Sequence, residues 1–152
     1  MTPERAAEWQ KGDFRVSTRF DQLDLDVIHG FLHESYWAGG IPRATVEKSI
    51  RNSLCFGLLH RKRQIGFARV VSDYTTFAYL ADVFVLPQYR GQGLAKWLMQ
   101  CIMEHSELAG LRRWLLVTRD AHGLYEKLGF KPLAHPEKLM EIHVPDIYRQ
   151  NT

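Results

Sequence analysis

Apolar positions along the chain change their period several times, and each change marks out an element. Phe14, Val16 and Thr18 alternate with polar residues, which predicts a first strand over 13–19. Over 24–35 the spacing becomes helical: Leu25, Ile28, Phe31 and Leu32 share a face, with Asp24 and Asp26 where a helix start favours carboxylates. Tyr36-Trp37-Ala38-Gly39-Gly40 interrupts that pattern, and Pro42 suits the opening of a second helix over 43–52. Apolar runs at 54–60 and 65–72, joined by Arg61-Lys62-Arg63, predict a hairpin with a solvated turn. Residues 76–86 form a long apolar strand interrupted by Asp82.

Leu94, Leu98 and Ile102, with Trp97 and Cys101 beside them, give a helix over 93–107 a broad apolar face. A strand over 113–118 follows, then a short helix over 121–128 with Gly129 as its left-handed cap. Strands from Phe130 onward and at 140–144 complete the order β-α-α-β-β-β-α-β-α-β-β. Residues 1–12 are polar and are expected to form a flexible N-terminal segment. The strand-helix-strand unit between Val83 and Val117 requires a parallel pairing, because such a crossover returns the chain in the same direction.

Composition narrows the class. With 152 residues, and neither repeats nor linkers, the chain is expected to be a single domain over 1–152. Its 45% hydrophobic and 24% charged content is that of a soluble globular protein. A net charge of +3, scattered along the chain, suits an anionic ligand and gives no reason to expect nucleic acid as a partner. No apolar stretch approaches a membrane span and no signal-peptide core is present, so a cytoplasmic protein with no membrane partner is expected. Cys55 and Cys101 lie in apolar runs and the histidines are dispersed, so no metal site is expected.

The most specific chemistry lies at Gln88-x-x-Gly91-x-Gly93, where an extended Val83-Phe84-Val85 run turns directly into a helix. Glycines there let backbone N–H groups converge, and the helix start adds unpaired N–H groups and the positive end of its dipole. The result is an anion seat, with phosphate the usual occupant. The spacing is not that of a triphosphate-binding loop, and Lys96 stands where a dinucleotide fingerprint needs a third glycine. Further on, Ala121-His122-Gly123-Leu124-Tyr125-Glu126-Lys127-Leu128-Gly129-Phe130 reads as a short helix stopped by a glycine.

Together these two segments resemble the marked motifs of the GNAT N-acetyltransferases, and the element order is similar over nearly the whole chain. The resemblance implies an α/β (α+β) GNAT fold: a mixed, mostly antiparallel sheet of six or seven strands with helices on both faces. It implies acetyl-coenzyme A as acyl donor, with no metal. The pantetheine arm would lie on the backbone of Val83, Phe84 and Val85, with Val85 the N–H donor to the thioester oxygen. The pyrophosphate would rest on the N–H groups of Arg90, Gly91, Gln92, Gly93, Leu94 and Ala95, preceded by Gln88 and assisted by the charges of Arg90 and Lys96. Thr118 stands where many relatives carry a cofactor-contacting asparagine. Tyr125 corresponds to the tyrosine proposed as general acid toward the leaving thiolate, a role that suits a phenol protonated at neutral pH. The alternative for Tyr125 is a packing aromatic beside the cofactor.

The acceptor side is less determined. Asp82, a carboxylate in an otherwise apolar strand, is either the general base or a structural carboxylate paired with an arginine such as Arg69. His29, His33, Tyr36 and Trp37 fall in the region that walls the acceptor pocket in the family, and Asp73 lies in a turn that borders it. Aromatic lining with one negative charge favours the primary amine of a small molecule, acetylated by direct attack in a ternary complex. The alternatives are a protein or peptide acceptor, and a non-catalytic acyl-coenzyme A sensor. A homodimer through edge strands is compatible with the sequence.

Overall fold

The computed structural model of the protein describes residues 6–149. In chain order the elements are β1 (Glu8–Lys11), β2 (Phe14–Ser17), α1 (Leu25–His33), α2 (Arg43–Arg51), β3 (Leu54–His60), β4 (Arg63–Ser72), β5 (Phe77–Val85), α3 (Leu94–Glu104), β6 (Arg113–Leu116) and α4 (His122–Glu126). The six strands form one sheet in sequence order. Every neighbouring pair is antiparallel except β5 and β6, which run parallel as the crossover through α3 requires.

The sheet is covered on both faces, which is why β3 and β4 read as apolar runs rather than as alternation. One layer packs Leu98, Met99 and Ile102 of α3 against Phe56, Leu58, Ile65 and Leu80. The other packs Ile28 and Leu32 of α1 and Val46 and Ile50 of α2 against Phe67 and Phe84. The α1 helix starts where its sequence indicates: the Asp24 carboxylate accepts the N–H groups of Asp26 and Val27.

Two expectations are corrected. Residues 8–11 are not part of a flexible segment but form an edge strand, joined to β2 by a two-residue Gly12-Asp13 loop with Gly12 at φ +60°. Trp9 anchors that strand, its ring 6.2 Å from Phe56 and 6.2 Å from His105. Residues 1–5 of the expected segment lie outside the described residues. At the other end, neither Phe130 onward nor 140–144 forms a strand. Pro132 and Pro136 remove ladder donors there, and Met140 and Ile142 are 98% and 100% exposed, with no sheet face to bury them. The chain runs back instead, so that Tyr148 packs against the α1–α2 layer.

The feature that positions the site is a split in the sheet. Pairing between β5 and β6 covers only Phe77–Leu80 and Arg113–Leu116, after which the strands part. On the β4 side the register jumps between Phe67↔Phe84 and Arg69↔Ala81, leaving Asp82 and Val83 opposite Ala68 alone. Asp82 takes φ +56° at this bulge, which bends β5 away from its parallel neighbour.

Candidate active site

The donor side is built where β5 runs into α3. Gly91 and Gly93 have φ +84° and +78°, conformations an L side chain rarely adopts, and a Cβ at either would meet no protein atom within 4 Å. Gly93 caps α3 without any side-chain bond, so the first N–H groups of the helix stay unpaired. Beside them lies a cavity of about 380 Å³ lined by Val85, Arg90, Gly91, Gly93, Leu94, Ala95 and Lys96, with Leu124 of α4 and Lys127 just after it on the far wall. Glycines required by conformation, open space in front of them, helix N–H groups and the cations of Arg90, Lys96 and Lys127 fit a phosphorylated carrier.

The expected cradle needs one correction. The Arg90 N–H is already donated to the Pro87 carbonyl, 3.2 Å away, so the seat begins at Gly91. The Arg90 side chain folds back instead, its Nε donating to the Val85 carbonyl at 2.9 Å. Gln88 and Gln92 are exposed and do not line the cavity; the Gln92 side chain donates to Tyr89 O. Thr118 is likewise engaged locally, accepting the Ala121 N–H at the start of α4.

Backbone register places Val85 at the split. Leu86 N–H donates to Ile65 O at 2.8 Å, and Val85 stands opposite Gly66. Alternation of an antiparallel ladder then turns the Val85 N–H away from β4, into the gap left by β6. The Val83 side chain packs toward the α3 layer. Phe84 points the other way, stacked on Phe31 with ring centroids 4.0 Å apart.

Tyr125 lies in α4, 8% exposed, with its ring edge-on to Phe130. Burial, reinforced by nearby Tyr36, pushes its hydroxyl up to about 12. That hydroxyl makes no hydrogen bond to the described residues.

At the β5 bulge Asp82 is engaged through both of its oxygens. Its Oδ2 accepts Arg69 Nε at 2.8 Å and its Oδ1 accepts Trp37 Nε1 at 2.9 Å. Arg69 also donates to Ser53 Oγ at 3.2 Å. The ion pair with Arg69 that the sequence reading anticipated for Asp82 is present. Tyr36 accepts the Arg119 N–H at 3.3 Å, and the Arg119 guanidinium lies 3.8 Å from the centre of its ring. His29 Nε2 is 3.0 Å from Ile41 O, and His33 Nδ1 is 3.2 Å from Glu34 Oε1, so both histidines are held by their own helix and its loop.

Asp73 is committed to its turn: it accepts the N–H groups of Thr75, Thr76 and Phe77 and the Thr76 hydroxyl, and these bonds hold its carboxyl far below the ordinary range. Tyr36, Trp37, Asp82 and Tyr125 are therefore brought together, and His33 and Asp73 are not among their contacts. The reading of the sequence missed Lys127, Leu124 and the part of Arg119. Lys127 and Leu124 belong to the quoted Leu124-to-Phe130 motif; only the facing of α4 toward the cavity distinguishes them.

Comparison with known proteins agrees with this geometry. Residues 7–130 match the acetyltransferase (GNAT) family. The chain is 52% identical to a GNAT-family protein of Xanthomonas campestris pv. campestris, whose crystal structure superposes with a TM-score of 0.87 over 89% of this chain and 96% of that one. It is 36% identical, over 81% of its length and 82% of the other's, to a Gibberella zeae protein named as an acetyltransferase. A Clostridium acetobutylicum structure with acetyl-CoA, 14% identical, shares the fold at a TM-score of 0.62 over 86% of this chain and 94% of that one. The chain belongs to the GNAT family of N-acetyltransferases. Members of this family use acetyl-CoA, so the protein is an enzyme with an acyl donor and an acceptor. No helix among the described residues is long and apolar enough to cross a membrane.

Proposed function

We propose that the protein transfers the acetyl group of acetyl-CoA to the primary amine of a small molecule, by direct attack while donor and acceptor are bound together. The observation that carries this reading is the split between β5 and β6: it leaves the Val85 N–H facing the gap, beside the glycine cradle. Acetyl-CoA supplies an activated thioester, which an amine converts to an amide with release of a thiol.

The residues divide that work. N–H groups of Gly91, Gln92, Gly93, Leu94 and Ala95, with Lys96 and Lys127, hold the pyrophosphate. Val85 N–H donates toward the carbonyl oxygen as negative charge develops there. Tyr125 gives its proton to the departing sulfur; with its hydroxyl raised to about 12, the phenol is protonated throughout the neutral range. Asp82 accepts from Arg69 and Trp37 and has a structural part in this scheme. Water at the open side of the cleft takes the amine's proton. The half-exposed rings of Tyr36 and Trp37 line the acceptor side.

The test is thiol release from acetyl-CoA across polyamines, aryl amines, amino acids and lysine peptides. Small primary amines are expected to accelerate release above the rate with buffer alone. Acceleration by peptides only would assign a protein acceptor, and tight acetyl-CoA binding with no acceleration by any amine would make the protein a sensor.

A further inference from the structure

From 131 to 147 every residue is exposed, yet the stretch is anchored at both ends. Phe130 packs against one core layer and Tyr148 against the other. A single turn, in which Lys138 N–H donates to His135 O and Leu139 N–H to Pro136 O, leads into extended backbone at Leu139. The N–H groups of Met140 through Val144 then donate to no backbone carbonyl among the described residues. Both outer edges of the sheet, β1 and β6, are open, and the stretch pairs with neither. Loops of this length without regular structure are uncommon unless they have a task.

Its side chains point to that task. Leu133, Leu139, Met140, Ile142, Val144 and Ile147 all face solvent, Met140 and Ile142 at 98% and 100% exposure. Together these residues expose on the order of 700 Å², close to the roughly 800 Å² that one partner contributes to a standard interface. Side chains alternate along extended backbone, so Met140, Ile142 and Val144 share one face and Leu139, Glu141 and His143 the other.

The order of these residues is complementary to itself. An antiparallel pairing of two identical strands about a twofold axis sets one residue opposite its own copy. With Ile142 on the axis, Met140 meets the partner's Val144 and Glu141 meets the partner's His143. At each end Lys138 meets the partner's Asp146. Apolar residues then face apolar ones and each carboxylate faces a base. Every other centre within 139–144 sets two glutamates against each other or puts Met140 or Ile142 opposite a charge.

We propose that residues 139–144 are a dimerisation strand, pairing antiparallel with the same segment of a second copy of this chain about a twofold axis through Ile142. The pairing supplies the backbone partners that the protomer lacks and covers its exposed apolar face. Anchoring at Phe130 and Tyr148 presents the strand already extended, so little ordering entropy is lost on association.

The test is sedimentation equilibrium of the full chain together with cysteine cross-linking. The wild type is expected to be a dimer whose dissociation constant rises roughly tenfold or more in Ile142→Asp, which sets two carboxylates on the axis. Ile142 is fully exposed in the protomer, so that variant is expected to keep the wild-type far-UV spectrum and acetyl-CoA affinity. Lys138→Glu is expected to weaken the dimer, and adding Asp146→Lys to restore it. On oxidation Ile142→Cys should give a disulfide-linked dimer, since directly opposed residues bring their Cα atoms about 5.5 Å apart. Met140→Cys should not, because the two copies of residue 140 lie about 14 Å apart in that register. Cys55 and Cys101 are buried and leave the readout to the introduced thiol. A wild-type monomer at the highest soluble concentration overturns the inference. So does a dimer that Ile142→Asp leaves intact, or equal cross-linking of the two cysteine variants.

Discussion

Gly91 and Tyr125 show how much of the chemistry is fixed by single residues. At Gly91 the constraint is conformational: φ is +84°, and space lies open where a side chain would begin. Gly91→Val is expected to weaken acetyl-CoA binding by an order of magnitude or more, since a β-branched residue strains that backbone and intrudes on the anion. Isothermal titration with acetyl-CoA checks this; unchanged affinity would remove the glycine turn from the donor site. Both residues were legible in the sequence because turn and helix carry a spacing that backbone geometry imposes. The ion pair of Asp82 was not legible: a carboxylate in an apolar strand reads equally as a base or as half of an ion pair, and only the position of Arg69 on the neighbouring strand reveals the pairing. Lys127 stayed hidden for a similar reason, because a helix as short as α4 gives no periodicity from which to read its inner face.

At the scale of elements, the strands and helices buried on both faces followed from sequence, and the errors fell at the ends of the chain. β1 has a single large apolar residue, Trp9, and its cue was the Gly12-Asp13 loop rather than its own pattern. Residues 140–144 have the composition of a strand but lie where no neighbour pairs with them. β1 also brings a pH dependence. Trp9 and Phe56 enclose His105, whose Nδ1 accepts the Glu107 N–H while its buried Nε2 has no hydrogen-bond partner among the described residues. Burial holds the imidazole below its ordinary 6.5, against an opposing pull from Glu107. A depressed histidine contributes stability that is complete above its unfolded value and lost as pH falls through the folded one. The thermal midpoint should therefore drop as pH falls below 6.5. It should drop less in His105→Asn, which keeps an acceptor for Glu107 N–H but cannot titrate. Equal drops would place the acid sensitivity elsewhere.

For the whole molecule, the proposed mechanism sets donor and acceptor on the two sides of the split sheet, and the Arg69–Asp82 pair lies at the bulge. The two side chains are 19% and 10% exposed, so breaking the pair leaves a largely buried charge. Arg69→Met should cost about 3–5 kcal/mol, and adding Asp82→Asn should recover part of it. Denaturant midpoints of the single and double variants check this, and additive losses would show that the pair is not coupled. The parallel crossover was readable from element order, whereas the contacts of the α1–α2 loop were not. They link residues far apart in sequence, Trp37 to Asp82 and Tyr36 to Arg119, and no local pattern records them.

In the proposed mechanism Tyr125 is the proton donor to the leaving thiolate. The direct measurement is kcat and acetyl-CoA affinity for Tyr125→Phe beside the wild type, with the best small amine at saturation. Loss of the hydroxyl alone is expected to lower kcat by roughly ten- to ten-thousand-fold while the affinity stays within about twofold. An unchanged kcat, or a loss confined to acetyl-CoA binding, would contradict it and leave Tyr125 as a packing residue beside the donor.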